Sequence, residues 1–234
     1  MKKIIIIGAG AMGSAFAVPC LENQNDVTLV GTHLEDGLIK NIKLNNNFHP
    51  ALNMELPPKL KIEKFEKLSV ILEGRVDIIV AGVSSIGIEW FVEQISKHYK
   101  KDLPVILLTK GLAIEENELI TLSDKIKKLL KEKGHTGVNV SAIKGPCLAA
   151  GLANKMRTGT VIANPDIKET ELLKKIISTD YYSTEVSDDL TGIELSGAIK
   201  NIYSMLIGAS EGLSNSKAPK EIQSKYYLNT SASL

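Results

Sequence analysis

Apolar residues fall into two rhythms along this 234-residue chain. Short, nearly unbroken runs at Lys2 to Ile7, Asp26 to Val30, Val76 to Val80, Pro104 to Thr109 and Val138 to Ile143 have the length and β-branched content of buried strands. Thr160 to Ala163 and Tyr181 to Glu185 read as two shorter ones. Between them, apolar positions recur every three or four residues and predict helices over Ser14 to Leu21, Asp36 to Leu44, Ile88 to Tyr99, Glu116 to Lys133 and Glu169 to Ile177. The Asn45-Asn-Asn-Phe-His-Pro-Ala-Leu stretch and Pro57-Pro58 interrupt the rhythm as loops. Strand and helix in alternation predict an α/β fold, a doubly wound, mostly parallel sheet covered on both faces.

The last periodic segment, Gly192 to Ser214, departs from this pattern. Ile193, Ile199, Ile202, Leu206 and Ile207 predict a core-facing helix, yet Lys200 stands near its middle. Helical side chains lean toward the N-terminus, so Lys200 lies over the small residues Ser196 and Gly197. Either the lysine stem packs and the amine reaches water, or the notch takes a ligand.

The first strand feeds Gly8, Gly10 and Gly13 in G-x-G-x-x-G spacing, and a helix follows. In that setting the first glycine turns tightly, the second admits a pyrophosphate close to the backbone, and the third packs helix on strand. The helix N-terminus adds free N–H groups for phosphates. A Rossmann-like dinucleotide site is the expectation. A signal peptide is the competing reading, since Lys2 and Lys3 precede the apolar run, but three glycines in six residues weaken an apolar helix there. Gly82-Val83-Ser84-Ser85 puts small residues at a strand's carboxyl end, where a doubly wound sheet lets a cofactor lie, and makes Ser84 a candidate contact. At the end of the second strand the sequence offers Gly31, Thr32 and His33, with Glu35 and Asp36 placed a little late. Thr32 is a candidate ribose contact or an ordinary turn residue. With no carboxylate at that spacing, either NAD or NADP is expected, NADP slightly favoured.

Composition changes little in this picture. Lys and Arg number 28 against 27 for Asp and Glu, which leaves no basic field for nucleic acid. Cys20 and Cys147 are too few for a disulfide framework, and four scattered histidines offer no metal-ligand spacing. No run approaches the roughly 20 apolar residues of a membrane span. A cytoplasmic enzyme is the expectation, and an apolar helix exposed around Lys200 would favour a homo-oligomer.

Five motifs in fixed order carry a resemblance: Gly8-Ala-Gly-Ala-Met-Gly, His49-Pro50, Thr109-Lys110-Gly111, Gly145-Pro146, and Gly192-Ile-Glu-Leu-Ser-Gly-Ala-Ile-Lys200-Asn201-Ile-Tyr203. Together they resemble NAD(P)-dependent glycerol-3-phosphate dehydrogenase along the whole chain. The resemblance implies a dinucleotide-binding domain at 1–187 followed by the first part of an all-helical substrate domain at 188–234. It implies Lys200 as proton acceptor, assisted by Lys110, which also contacts a small phosphate-ester substrate. Gly145, Cys147 and Asn201 would line the substrate site, and Ala11, Met12 and Ala149 would touch the cofactor. Cys147 departs from the family's usual serine or threonine, so a weak thiol replaces a hydroxyl. The family's helical domain also runs on past Leu234, through a Gly-Asp-Leu turn and an Arg-Asn pair that holds the substrate phosphate. By that comparison the chain is truncated, and impaired turnover is expected of the 234 residues alone. Two alternatives stay open: a ketopantoate-reductase-like enzyme, opposed by Gly145-Pro146 and by Glu194 ahead of Lys200-Asn201, and a non-catalytic dinucleotide-binding remnant.

Overall fold

The computed structural model describes residues 1–100 and 103–214, apart from the side chains at 201 and 211–214. In chain order its strands are β1 (Lys3–Ile7), β2 (Asp26–Val30), β3 (Phe48–His49), β4 (Met54–Glu55), β5 (Lys61–Glu63) and β6 (Ile78–Ala81). They continue as β7 (Val105–Leu107), β8 (Leu112–Glu115), β9 (Glu118–Thr121), β10 (Val140–Lys144), β11 (Thr158–Ala163) and β12 (Tyr182–Ser187). The helices are α1 (Ala11–Glu22), α2 (Asp36–Leu44), α3 (Leu68–Glu73), α4 (Ile88–Ser96), α5 (Leu122–Glu132), α6 (Ala149–Ala153), α7 (Ile167–Ile177) and α8 (Leu190–Ser214).

Eight strands make one sheet in the order β12-β11-β10-β7-β6-β1-β2-β5. Within it the β10–β11 pairing is antiparallel; β1 lies parallel to both β2 and β6, with Ile6 beside Leu29 on one side and Val80 on the other. The unbroken isoleucines of β1 follow from this central place. Ile4 and Ile6 join the core under α1, α2 and α7, with Phe16, Ile39 and Leu173. Ile5 and Ile7 join the opposite core, with Leu68, Phe91 and Ile126 of α3, α4 and α5. Each of the four is fully buried and stabilises the fold by roughly 1.5–3 kcal/mol, an upper estimate. α8 begins shortly after β12 and seats Leu190 and Ile193 against Ala142 and Ala163 of the antiparallel pair. The expected domain division at 187/188 falls in that link, and residues 215–234 of the expected helical domain lie outside the described residues. No helix among the described residues is long and apolar enough to cross a membrane.

The expected helix over Glu116 to Lys133 is corrected at its start. The stretch up to Thr121 belongs to the β8–β9 hairpin, which turns at Glu116 and Asn117, both with positive φ (49° and 67°). Positive φ at both central residues matches strand twist in a two-residue hairpin. The helix starts after Thr121, whose hydroxyl accepts from the Asp124 N–H at 3.1 Å. β3, β4, β5, α3 and α6 are short elements beyond those expected, and the stretch from Asn45 expected as a loop is corrected at Phe48–His49, which pairs antiparallel with Met54–Glu55.

Close backbone approach governs the end of β1. Gly8 has φ +111°, and a Cβ there would stand 2.5 Å from the Gly82 carbonyl oxygen; one on Gly13 would stand 2.2 Å from the Gly8 oxygen. Exposed Gly37 in α2 has nothing within 4 Å of such an atom. Gly13→Ala should therefore cost at least about 2 kcal/mol, while Gly37→Ala stabilises by up to about 1 kcal/mol through helix propensity. Urea unfolding of both variants measures this, and equal midpoints would contradict it.

Candidate functional site

The glycine loop is held as a rigid cradle. Gly8 N–H donates to the Val30 oxygen at 2.9 Å. The next peptide, at Ala9, is fixed from both sides: its N–H donates to Glu35 Oε2 at 3.0 Å, while its oxygen accepts from Ser14 Oγ at 3.1 Å and from buried His49 Nε2 at 2.9 Å. The Leu52 N–H donates to His49 Nδ1 at 3.3 Å, which leaves the histidine's proton on Nε2. This gives the His49-Pro50 loop its place under the glycine turn. Gly10 is the half-buried lip of the cradle: a Cβ there would meet only Glu35 Oε1, at 3.9 Å. Its lack of a side chain serves nothing inside the protein and leaves the α1 N-terminus open to an anionic group.

Glu35 is a residue that chain counting missed. The turn after β2 folds it back, and its Oε2 also accepts from the Thr32 N–H at 2.7 Å. A carboxylate therefore does stand at the end of β2, which removes the ground for favouring NADP. Thr32 contributes its backbone to this contact.

The cradle opens into a cleft of about 450 Å³ lined by Met12, Ser84, Ser85, Lys110, Cys147 and Ala149 among others. Candidate contacts from four separate stretches thus share one wall. Lys110 also lines a second, smaller pocket of about 110 Å³, with Lys144, Gly145, Ser196, Gly197 and Lys200. The strand ends explain the meeting. β7 delivers Thr109-Lys110, β10 delivers Lys144-Gly145, and α8 crosses them. Gly145 is needed because a Cβ would stand 2.8 Å from the Thr160 Cα. Cys147 is buried, and burial pushes its thiol up from the ordinary value, against a hydrogen bond with Thr158 and the Lys110 charge. The Asn201 side chain lies outside the described residues.

The notch beside Lys200 is partly filled. Gly197 faces the stem of Lys144, whose Cδ would lie 3.1 Å from a Cβ at 197. Lys144 is 4% exposed and donates to the Thr109 and Leu107 oxygens at 2.5 and 3.4 Å. Burial, with the Lys110 charge, pulls its amine down to about 8, against the pull of Glu194. Lys110 is held below the usual lysine range by partial burial of its amine and then by the Lys200 charge. Glu194, fully buried, accepts from the Ser123 N–H at 3.2 Å in the first turn of α5, where a helix favours an anion. Burial raises its carboxyl, opposed by Ser123 and Lys144. Neither Lys144 nor Glu194 was among the expected site residues. A lysine closing an otherwise apolar strand before Gly-Pro, and a glutamate on the apolar helix, were the available signals.

With this geometry in place, comparison with known proteins decides the lineage. Residues 3–170 match the family described as NAD-dependent glycerol-3-phosphate dehydrogenase N-terminus. The chain belongs to this family. It is 32% identical over 231 residues to the NADP(+)-dependent glycerol-3-phosphate dehydrogenase of Archaeoglobus fulgidus, covering 98% of this chain and 66% of that protein. It is also 32% identical over 200 residues to the glycerol-3-phosphate dehydrogenase [NAD(P)+] of Mesoplasma florum, covering 86% and 58%. The chain thus spans just under two thirds of these relatives' length or less. The crystal structure of glycerol-3-phosphate dehydrogenase from Coxiella burnetii shares the fold with a TM-score of 0.78 at 23% identity, covering 92% of this chain and 63% of that one. A ketopantoate reductase from Ralstonia eutropha is more distant, with a TM-score of 0.58 at 16% identity, covering 85% and 61%.

The Lys144 titration carries a pH signature. Its amine titrates at about 8 in the folded chain against an ordinary 10.5, so between those values the unfolded chain binds the additional proton. Stability of the wild type should therefore rise with pH across that window relative to Lys144→Met, by on the order of 3 kcal/mol when complete. Urea midpoints of the two proteins near pH 7 and near pH 10 measure it. A constant difference between them would contradict it.

Proposed function

We propose that this chain is the dinucleotide-binding and proton-handling part of an oxidoreductase that interconverts sn-glycerol 3-phosphate and dihydroxyacetone phosphate with NAD or NADP. One observation carries the reading: Lys110 stands where the glycine-loop cleft and the lysine pocket meet, so a group lying in the first faces the amines lining the second. The residues present fit a dinucleotide. Gly10 leaves open the space a pyrophosphate needs, the α1 N-terminus faces it, and Ser84, Ser85, Met12 and Ala149 wall the cleft beyond. A nicotinamide bound there would exchange a hydride with C2 of the substrate.

The chain's own residues handle the accompanying proton and the charge. Oxidation of the alcohol requires a neutral amine to take the C2 hydroxyl proton, and the reverse reaction an ammonium to return it. Lys200 takes this role. Lys110 holds the substrate from the opposite wall, its amine kept below the usual lysine range by partial burial and then by the Lys200 charge. Both attract a phosphate dianion. Gly145, whose missing side chain makes room for Thr160, lines the substrate pocket with its backbone, and Cys147 offers only a weak thiol hydrogen bond. Asn201 completes the set by the family pattern.

Titration of NADH and NADPH fluorescence tests the cofactor part, with dissociation constants of about 1–100 μM expected. No binding of either at millimolar concentration would overturn it. Gly10→Ala should weaken binding at least tenfold or so, with stability changed by less than about 1 kcal/mol, because its methyl group fills ligand space and displaces no protein atom. In the whole protein, Lys200→Met should lower turnover with dihydroxyacetone phosphate by roughly two to four orders of magnitude with cofactor affinity nearly unchanged. A loss below about threefold would return Lys200 to a packing role.

A further inference from the structure

Lys144 has no part in the proton chemistry above, yet it touches the supports of both lysines that do. Its ammonium donates to the Leu107 oxygen at 3.4 Å, the last carbonyl of β7, and to the Thr109 oxygen at 2.5 Å, two residues beyond it. Thr109 immediately precedes Lys110. Thr109 is held a second time, its hydroxyl donating to the Val83 oxygen at 2.7 Å, next to Ser84. The Lys144 stem meanwhile fills the hollow at Gly197, where a Cβ would lie 3.1 Å from Cδ and 3.3 Å from Cγ. Gly197 is one helical turn before Lys200. One side chain therefore bonds the backbone that presents Lys110 and packs against the turn that presents Lys200.

We propose that Lys144 is a positioning residue that ties the Lys110 strand end to the Lys200 turn of α8 and sets a buried positive charge beneath the pocket both line. Its purpose rests on the dehydrogenase reading; the coupling between the lysines does not. The charged and titratable groups around it are Lys110 after β7, Lys200 and Glu194 on α8, Asp124 of α5 beside Glu194, and Cys147 beyond Gly145-Pro146. Lys144 and Lys110 repel, and Glu194 offsets part of that repulsion. A lysine serving only to cap two strand-end carbonyls would hold the fold and leave the reactivity of Lys110 alone.

Competitive acetylation of the full chain, read residue by residue by mass spectrometry against exposed Lys168, separates the two roles. It reports the fraction of neutral amine at each lysine and needs neither cofactor nor substrate. In Lys144→Met, which keeps an apolar stem against Gly197, Lys110 should label roughly threefold more slowly near pH 7, where the wild-type Lys144 carries its charge, because the repelling charge is gone. In Gly197→Ala every charge stays but the stem is displaced, and the labelling of Lys110 and Lys200 should change together by about twofold or more. An unchanged Lys110 profile in a folded Lys144→Met, checked by circular dichroism, would overturn the proposal. Should that variant not fold, Gly197→Ala decides it, since a change confined to Lys200 would overturn the proposal equally. Titration of NADH on the same samples tests the dinucleotide reading independently, so either can fail without the other.

Discussion

Everything in the cleft follows from how closely three backbones pass at the end of β1. The Gly8 oxygen lies 2.2 Å from where a Cβ of Gly13 would be and 3.0 Å from where one of Gly82 would be. No side chain fits between the glycine turn, the first turn of α1 and the end of β6. The contact seats α1 on the sheet and brings the Gly82–Ser85 segment alongside the cradle. From there Thr109 bonds Val83 and carries the same alignment to Lys110. A steric constraint among glycines thus sets where an amine stands two strands away, because each link is short and buried.

The buried charges obey a different logic. An ammonium taken out of water costs several kcal/mol unless its donors are used and a counter-charge is near. Lys144 meets these conditions with two carbonyls and with Glu194, which itself rests on the α5 N-terminus. Such an arrangement is weak evidence for stability, since an apolar residue of similar shape would pack as well without the cost. What distinguishes it is location, at the floor of the pocket that Lys110 and Lys200 share.

What could be foreseen from the amino acids alone divides along the range of the interactions that decide it. β1, β2, β6, β7 and β10 were legible because strands buried on both faces have little choice but unbroken apolar residues. The glycine loop was legible because its spacing reports backbone contact directly. Residues 116–121 misled because their Glu, Leu and Ile content suits a helix, while the left-handed turn at Glu116-Asn117 is imposed by strand pairing. Glu35 was discounted by counting residues along the chain, although a single turn brings its carboxylate to Ala9. Lys110, Gly145 and Lys200 were found and do meet in one pocket. Lys144 escaped because periodicity marks where a strand ends and says nothing of whether its last residue is buried.

α8 shows why that omission matters to the site as a whole. Its first turns are well anchored: Asp189 accepts from the Gly192 N–H at 2.8 Å, Leu190 and Ile193 pack on the sheet, and Glu194 reaches Ser123. Further on, Ile202, Tyr203, Met205 and Leu206 are exposed. Lys200 stands at the passage from the seated part to the exposed part. Its position relative to Lys110 therefore depends in part on a close contact one turn before it, the seating of Gly197 on the Lys144 stem. A larger residue at 197 or a shorter one at 144 would alter the lysine pocket while leaving the glycine cradle intact, so cofactor binding and proton handling are separable properties of this fold.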